Sequence, residues 1–382
     1  MIKNYMPTYS RNALRYIPTR DEEVTPALQE CFLMARRGKM DTADEHRFEL
    51  NYMEDLRQLS RDVVFREYHP SPGKAFITFN PVVREIFAAP FRDRIIHHLL
   101  YALNGFWWDR QFINDSYSCR PGKGTLFAIR RVQHFIQKGT QGGTKGAFVI
   151  KLDISGYFMS MPRPVLYEKV LKGLEKQFPN HGWLYELCRY LWFEVIFDNP
   201  LDGVKLAGSK FDWDFLPKNK SLFNQPDLLG IVIGNLTSQL LSNILLNDFD
   251  RMMASELDIP FYGRYVDDMI MVVPAEDLAR VCKLIEGRIP EELAKIGLKL
   301  HPHKQYIQPA SKGVPFLGEF VHAYYTTPSK RIKGNYYKAA KELMYGFGSL
   351  DAITAYHGRG KHTCQKKLEA RIFEEMGWEY NW

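Results

Sequence analysis

The sequence predicts a mixed α/β chain of the α+β kind. Three features carry that expectation: short apolar runs rich in β-formers, longer stretches with apolar residues at helical spacing, and acidic residues lodged at the ends of the apolar runs. A chain of 382 residues has room for one large domain or two to three joined subdomains. Its 45% hydrophobic and 14% aromatic content supplies an ample core and argues against wholesale disorder. The net charge of +7 suits a polyanionic partner without requiring one. Five scattered cysteines, Cys31, Cys119, Cys188, Cys282 and Cys364, show no zinc or disulfide spacing, so a reducing compartment is expected. The start, Met1-Ile2-Lys3-Asn4, has no signal-like apolar run, and no segment reaches the ~20 apolar residues of a membrane span. A soluble cytoplasmic protein is the expectation.

Residues 22–65 carry apolar positions at helical spacing, as in Leu50, Met53, Leu56 and Leu59, and read as two helices around a basic turn, Arg36-Arg37-Gly38-Lys39. Tyr68 to Phe79, with Pro70, Pro72 and Gly73, reads as a hairpin-like loop, and Phe91 to Leu103 as a helix. Ala147-Phe148-Val149-Ile150-Lys151-Leu152 is a buried strand ending at Asp153. A helical segment follows at about 163–195, then an irregular stretch, 199–229, long enough to be functional or an insertion. Residues 235–258 form an amphipathic helix. Phe261 to Val273 has two apolar arms around Tyr265-Val266-Asp267-Asp268, the pattern of a hairpin with an acidic tip. A charged helix at 276–296, another hairpin from Gln305 to Val321, and a basic helical end from about 333 complete the chain.

Asp153, Asp267 and Asp268 are the chemically pointed residues. Phosphoryl transfer by two metals needs carboxylates that hold a pair of Mg2+ ions about 3.5–4 Å apart. Mg2+ prefers oxygen ligands and keeps several waters, so two or three carboxylates plus substrate phosphates suffice. Adjacent aspartates between hydrophobic strands are costly near a core unless a cation offsets them. The bland alternative is an acidic turn, since Asp favours turns.

The string Gly263-Arg264-Tyr265-Val266-Asp267-Asp268, with its YVDD core, follows Leu152-Asp153-Ile154-Ser155-Gly156-Tyr157-Phe158 and Gly234-Asn235-Leu236-Thr237-Ser238-Gln239 in the sequence. Together these resemble palm motifs A, B and C of reverse transcriptases, in that family's order. Val83-Arg84-Glu85-Ile86 through Arg92-Asp93-Arg94-Ile95-Ile96 is similar to the first fingers motif, and Ser116 through Gly124 to the second. Gly297 to Lys304 is similar to motif D, and Phe316-Leu317-Gly318 to the motif E primer grip. The resemblance covers about residues 30–370. The motif B string, and Trp213-Asp214-Phe215-Leu216-Pro217 with Lys220-Ser221-Leu222-Phe223 before it, look most like the enzymes of diversity-generating retroelements.

That resemblance implies a right-hand polymerase: an N-terminal helical extension at 1–65, fingers at 66–146, palm at 147–325 with its insertion at about 199–229, and a helical thumb at 326–382. It implies an RNA-directed DNA polymerase, a nucleotidyltransferase making cDNA from a template RNA with dNTPs and two Mg2+ ions, Mn2+ being able to substitute. Asp153, Asp267 and Asp268, with the carbonyl of Ile154, would hold the metals, and Lys304 would serve as general acid. Lys74, Arg84, Phe158, Gly234 and Gln239 would meet the nucleotide, with Phe158 as steric gate and Gly234 letting backbone approach the templating pair. Arg120 and Lys123 would either touch template or hold their loop. Ser238 and Gln239 would either bond template or cap a helix. Ile233, where many relatives have Gln, would loosen base selection, and Phe316, Leu317 and Gly318 would grip the primer. Lys361, His362, Lys366, Lys367 and Arg371 would line the RNA–DNA duplex. Phe106-Trp107-Trp108 reads as core. A retroelement enzyme further implies an accessory protein and a bacterial, phage or prophage genome. The alternatives are an antiphage-defence reverse transcriptase and, less favoured, an inactive RNA-binding scaffold.

Overall fold

The structure, a computed structural model, describes residues 17–37, 42–79, 82–259 and 261–378. Three helices open it: α1 (Val24–Arg36), α2 (Ala43–Leu50) and α3 (Tyr52–Val64). Where two helices are expected there are three, because the chain breaks at Asn51. Val24, Ala27, Leu28, Cys31, Phe32 and Ala35 form one buried stripe of α1, the pattern that drives an amphipathic helix onto a core. Arg36 at its end reaches Glu45 at 2.9 Å and Glu49 at 2.6 Å on α2. Gly38 and Lys39 of the basic turn lie outside the described residues.

A hairpin of β1 (Lys74–Thr78) and β2 (Arg84–Ala88) follows, somewhat later than Tyr68–Phe79, because Pro70 and Pro72 hold the preceding stretch out of a ladder. Next come α4 (Phe91–Asp109) and α5 (Thr125–Gly139), then β3 (Ala147–Leu152). The expected helix at 163–195 is two, α6 (Arg163–Gln177) and α7 (Trp183–Phe197), separated at Pro179. The stretch 199–229 is irregular, with short 3-10 turns and one strand, β4 (Lys205–Leu206), which pairs parallel with β1. After it come α8 (Leu236–Arg251), ending in a π-helical turn at Met252–Glu256, and the hairpin of β5 (Tyr262–Tyr265) and β6 (Asp268–Pro274). The charged helix divides at Gly287 into α9 (Leu278–Glu286) and α10 (Arg288–Lys295).

The expected hairpin at 305–321 is shared between two sheets. Its first arm, β7 (Tyr306–Pro309), joins β3, while β8 (Val314–Phe316) and β9 (Glu319–Val321) form a separate hairpin extended by β10 (Thr326–Pro328). Three helices close the described chain: α11 (Lys330–Met344), α12 (Leu350–Gly360) and α13 (Lys366–Glu375), around their own small core of Tyr336, Ala340, Ile353 and Ile372.

The central antiparallel sheet, in the order β5-β6-β3-β7, positions the acidic residues. Side chains alternate across a strand. Ala147, Val149, Ile270 and Val272 pack with Val132, Phe135 and Ile136 on one face, while Ile150, Leu152, Met269 and Met271 join the main core on the other. Burial on both faces explains why these strands read as continuous apolar runs.

Candidate active site

Leu152 pairs with Met269, so Asp153, one step on, comes level with Asp268 on the neighbouring strand. Tyr265 pairs with Asp268, leaving Val266 and Asp267 as a two-residue hairpin turn. The sheet thus brings all three aspartates to one end. Their fields overlap there: burial, then the charges of Asp268 and Asp153, push the Asp267 carboxyl up to about 6. Burial and Asp153 also raise Asp268, against the pull of Lys151 and Lys304. The Lys304 ammonium lies 3.1 and 3.0 Å from the two Asp153 oxygens.

Among the described residues, no three acidic, histidine or cysteine groups stand close enough, as they are turned, to enclose a metal ion. Asp153 faces Lys304 instead, which acts as a local stand-in cation. The donor chemistry nonetheless fits Mg2+: hard carboxylate oxygens, two of the carboxyls raised first by burial and further by neighbouring carboxylate charge, beside a bound ammonium.

The hairpin tip is strained. Val266 has φ +59°, a conformation rare for a β-branched residue and costing of order 1–3 kcal/mol. Arg264 holds it, donating to the Val266 carbonyl at 2.7 Å. This guanidinium is fully buried and also donates to both oxygens of Asp250, at 2.8 and 2.6 Å, while the Tyr262 hydroxyl donates to Asp250 at 2.7 Å. Ser116 and Asn243 accept longer bonds of 3.3 Å from it. The loop at 115–117 is stitched alongside β5, Tyr117 donating to the Arg264 carbonyl at 2.9 Å. Sequence reasoning missed this brace. Its signal was a lone Arg inside a strand and a lone Asp at 250 on the apolar face of α8.

Ile154 is buried at 1%, and the neighbouring carbonyl of Asp153 accepts from His301 at 2.7 Å, so the chain after β3 is tied to the segment carrying Lys304. Phe158 sits in a 3-10 turn, Tyr157–Ser160, packed beside Ile233 and Trp213 around Ala75, Phe87, Met159 and Leu222. Gly234 does allow a close approach, but to the β1–β2 hairpin: at φ +133° a Cβ there would lie 2.5 Å from the Phe87 carbonyl oxygen. Phe87 in turn donates to the Ile233 carbonyl at 3.0 Å.

Several expected contacts are already engaged with protein. Arg120 is buried and bonds Asp109, Ile113 and Ser116, and Lys123 bonds Asn114 at 2.7 Å. Both side chains therefore hold their loop. Neither Ser238 nor Gln239 caps α8, whose N-cap is Asn235. Ser238 is buried and lines a cavity of about 260 Å3 shared with Asp93, Arg163 and Asp198. Lys74 pairs with Asp44 at 3.2 Å, whereas exposed Arg84 lies across from Thr78 at the far end of the hairpin. Four residues of strand, about 13 Å of backbone, separate them on the same face of the hairpin.

Phe316 is buried under the Lys151 ammonium, 5.9 Å from its ring centre. Leu317 and Gly318 make the next turn with φ +49° and +85°, the pattern of a type I′ hairpin. Arg359 of α12 donates to the Leu317 carbonyl at 2.8 Å, and Ser329 donates to that of Gly318 at 3.1 Å. Trp108 is core, but Phe106 is 65% exposed. Among the described residues no helix is long and apolar enough to cross a membrane.

No protein-family model matches the chain. Over 201 residues, 52% of the chain, it is 25% identical to Protein YkfC of Escherichia coli (strain K12), covering 45% of that protein. Telomerase from Candida tropicalis, solved in complex with a TWJ fragment of telomeric RNA, aligns at 13% identity and a TM-score of 0.46 over 81% of this chain and 56% of that one. Telomerase from Candida albicans in the same kind of complex aligns at 12% identity and 0.46, over 87% and 58%. The chain therefore spans about half the length of the curated relative and under two thirds of these telomerases.

Proposed function

We propose that the chain is an RNA-directed DNA polymerase that extends a DNA 3′ end along a template RNA with dNTPs and two Mg2+ ions. The single observation behind this reading is the convergence of Asp153, Asp267 and Asp268 at one end of the central sheet, with the carboxylate fields coupled. On this reading the central sheet belongs to the palm, the β1–β2 hairpin to the fingers and α11 to α13 to the thumb. Asp153 and Asp267, with Asp268 and the Ile154 carbonyl, are the oxygen donors for the metals. Bound Mg2+ supplies a lowered pKa for the attacking hydroxyl and neutralises charge as pyrophosphate leaves.

The protein's own residues do the rest. Arg264 fixes the turn that carries Asp267, so the donor is aimed before substrate arrives. Lys304 leaves Asp153 and turns toward the departing phosphates, where its ammonium delivers a proton. Phe158, set against the small core with Ile233, presses on the sugar and disfavours a 2′-hydroxyl. Within this activity we assign the chain to the error-prone class of diversity-generating retroelements, on the motif B string ending Ser238-Gln239 and the segment at 213–223. An accessory protein then supplies further basic surface, in keeping with a net charge of only +7. Primer extension on poly(rA)/oligo(dT) with Mg2+ tests the activity: the chain extends and Asp267→Ala does not. Absence of extension by the parent chain, with folding intact, overturns it.

A further inference from the structure

Seven large apolar side chains exposed to solvent come from one region, the β1–β2 hairpin and the 199–229 stretch: Phe79, Val82, Leu206, Phe211, Phe215, Phe223 and Leu228. Phe211 is 76% exposed and Phe215 66%, unusual for rings on a surface that is otherwise well anchored. The anchoring is specific. The buried Glu85 carboxylate accepts from Trp213 at 2.7 Å, from Ser221 at 2.7 Å and from the Leu222 amide at 2.6 Å. Ser209 and Asp212 form a reciprocal capping box at the start of the Lys210–Phe215 turn. The rings are therefore presented on a fixed support. Phe79 meets Phe215 edge to face, with centroids 5.8 Å apart.

The same stretch carries four lysines against three exposed acids, Asp202, Asp214 and Asp227. Lys205, Lys210, Lys218 and Lys220 are exposed and form no ion pair among the described residues. Asp212 is spent on the cap, leaving Asp214 as the exposed acid in the Lys210–Phe215 turn. Protein–protein interfaces are depleted in lysine, whereas single-stranded nucleic acid is held by alternating ring faces and cations. The location agrees: Trp213 and Leu222 of this segment share their small core with Phe158 and Ile233, which the polymerase reading sets against the nucleotide.

We propose that Phe79, Phe211 and Phe215, with the lysines of the same stretch, form a stacking surface for single-stranded template RNA ahead of the cleft. Bases lie on the ring faces and the lysines follow the phosphates. The proposal rests on the polymerase reading for the direction of the strand, but its binding can be read without catalysis.

The test compares RNA–DNA primer-templates with a long 5′ RNA overhang and with none, by fluorescence anisotropy without dNTPs. Phe211→Ala/Phe215→Ala should bind the overhang substrate about tenfold more weakly and the blunt one unchanged. Replacing Lys210, Lys218 and Lys220 with Gln should lower the salt dependence of overhang binding alone. Both variants change exposed side chains, and circular dichroism verifies their fold. Equal weakening on both substrates, or none on either, overturns the proposal. So does unchanged overhang binding with an altered sedimentation coefficient, which would make the face a contact between copies. If the parent chain prefers the overhang but extends no primer, the polymerase reading fails and the stacking surface stands as an RNA site.

Discussion

Removing the guanidinium of Arg264 would strand the Asp250 carboxylate at 1% exposure, with the Tyr262 hydroxyl as its remaining close donor. Breaking a buried pair from one side costs about 3–5 kcal/mol, because the surviving charge is desolvated without compensation. Arg264→Ala should lower unfolding stability by that amount in urea titration, and a loss under about 1 kcal/mol would mean the pair does not brace the hairpin. On the polymerase reading, Phe158→Ala should admit ribonucleotides, measured as the ratio of rNTP to dNTP incorporation efficiency. An unchanged ratio would make Phe158 core alone. Ile233 has no amide to offer a nascent base pair, so Ile233→Gln should reduce misincorporation opposite template adenines. Ile233 packs on the same small core as Phe158, and equal error rates would remove the idea. The aspartates could be read from sequence because acids beside apolar runs are costly and conspicuous. Arg264 could not be assigned its brace, since its partners at 116, 243 and 250 are brought to it only by folding.

Elements join at points where backbone meets backbone, and there a single methyl group matters. A Cβ at position 234 would lie 2.5 Å from the Phe87 carbonyl oxygen, and the φ of +133° disfavours any L side chain. Gly234→Ala should therefore cost about 2 kcal/mol or more, seen as a lower denaturant midpoint with an unchanged slope. At the end of α7, burial and the charge of Asp93 raise the Asp198 carboxyl from 3.8 to about 6. A folded-state value above the unfolded one means the folded protein holds that proton more tightly. The resulting stability is complete below 3.8 and is lost as pH rises through about 6. Asp198→Asn, neutral throughout, should gain about 1–2 kcal/mol at neutral pH after allowance for solvent access, and nothing in acid. Thermal melts across that range would show it, and a pH-independent difference would refute the assignment. Helix and strand types were legible from periodicity, and Pro179 and Gly287 are breakers visible in the sequence, but the apolar spacing running past them and past Asn51 masked the breaks. Apolar spacing continues across a bend when both halves pack on the same core.

At the scale of the molecule, sequence order conveyed the succession of helical, sheet and helical parts, but not how distant parts lock together. Glu85 on β2 holds the stretch around 213–222, and Arg359 on α12 supports the Leu317–Gly318 turn. Each is a long-range polar contact with no local pattern. The second contact matters for the duplex, because it fixes the C-terminal helices against the sheet that would carry the primer. Their outer surface presents Lys361, Lys366 and Lys367 to solvent, while Arg371 is occupied by Glu375 at 2.9 Å. If those helices lie along an RNA–DNA duplex, each lysine contact releases counterions, and the slope of log affinity against log salt changes by about 0.9 per contact. Replacing the three lysines with Gln should then flatten the slope by roughly 2–3 and weaken binding most at low salt. Arg371→Gln should change it less, since its charge is already partly answered. A triple variant with the parent's slope would place the duplex elsewhere and leave the C-terminal helices a structural support for the Leu317–Gly318 turn.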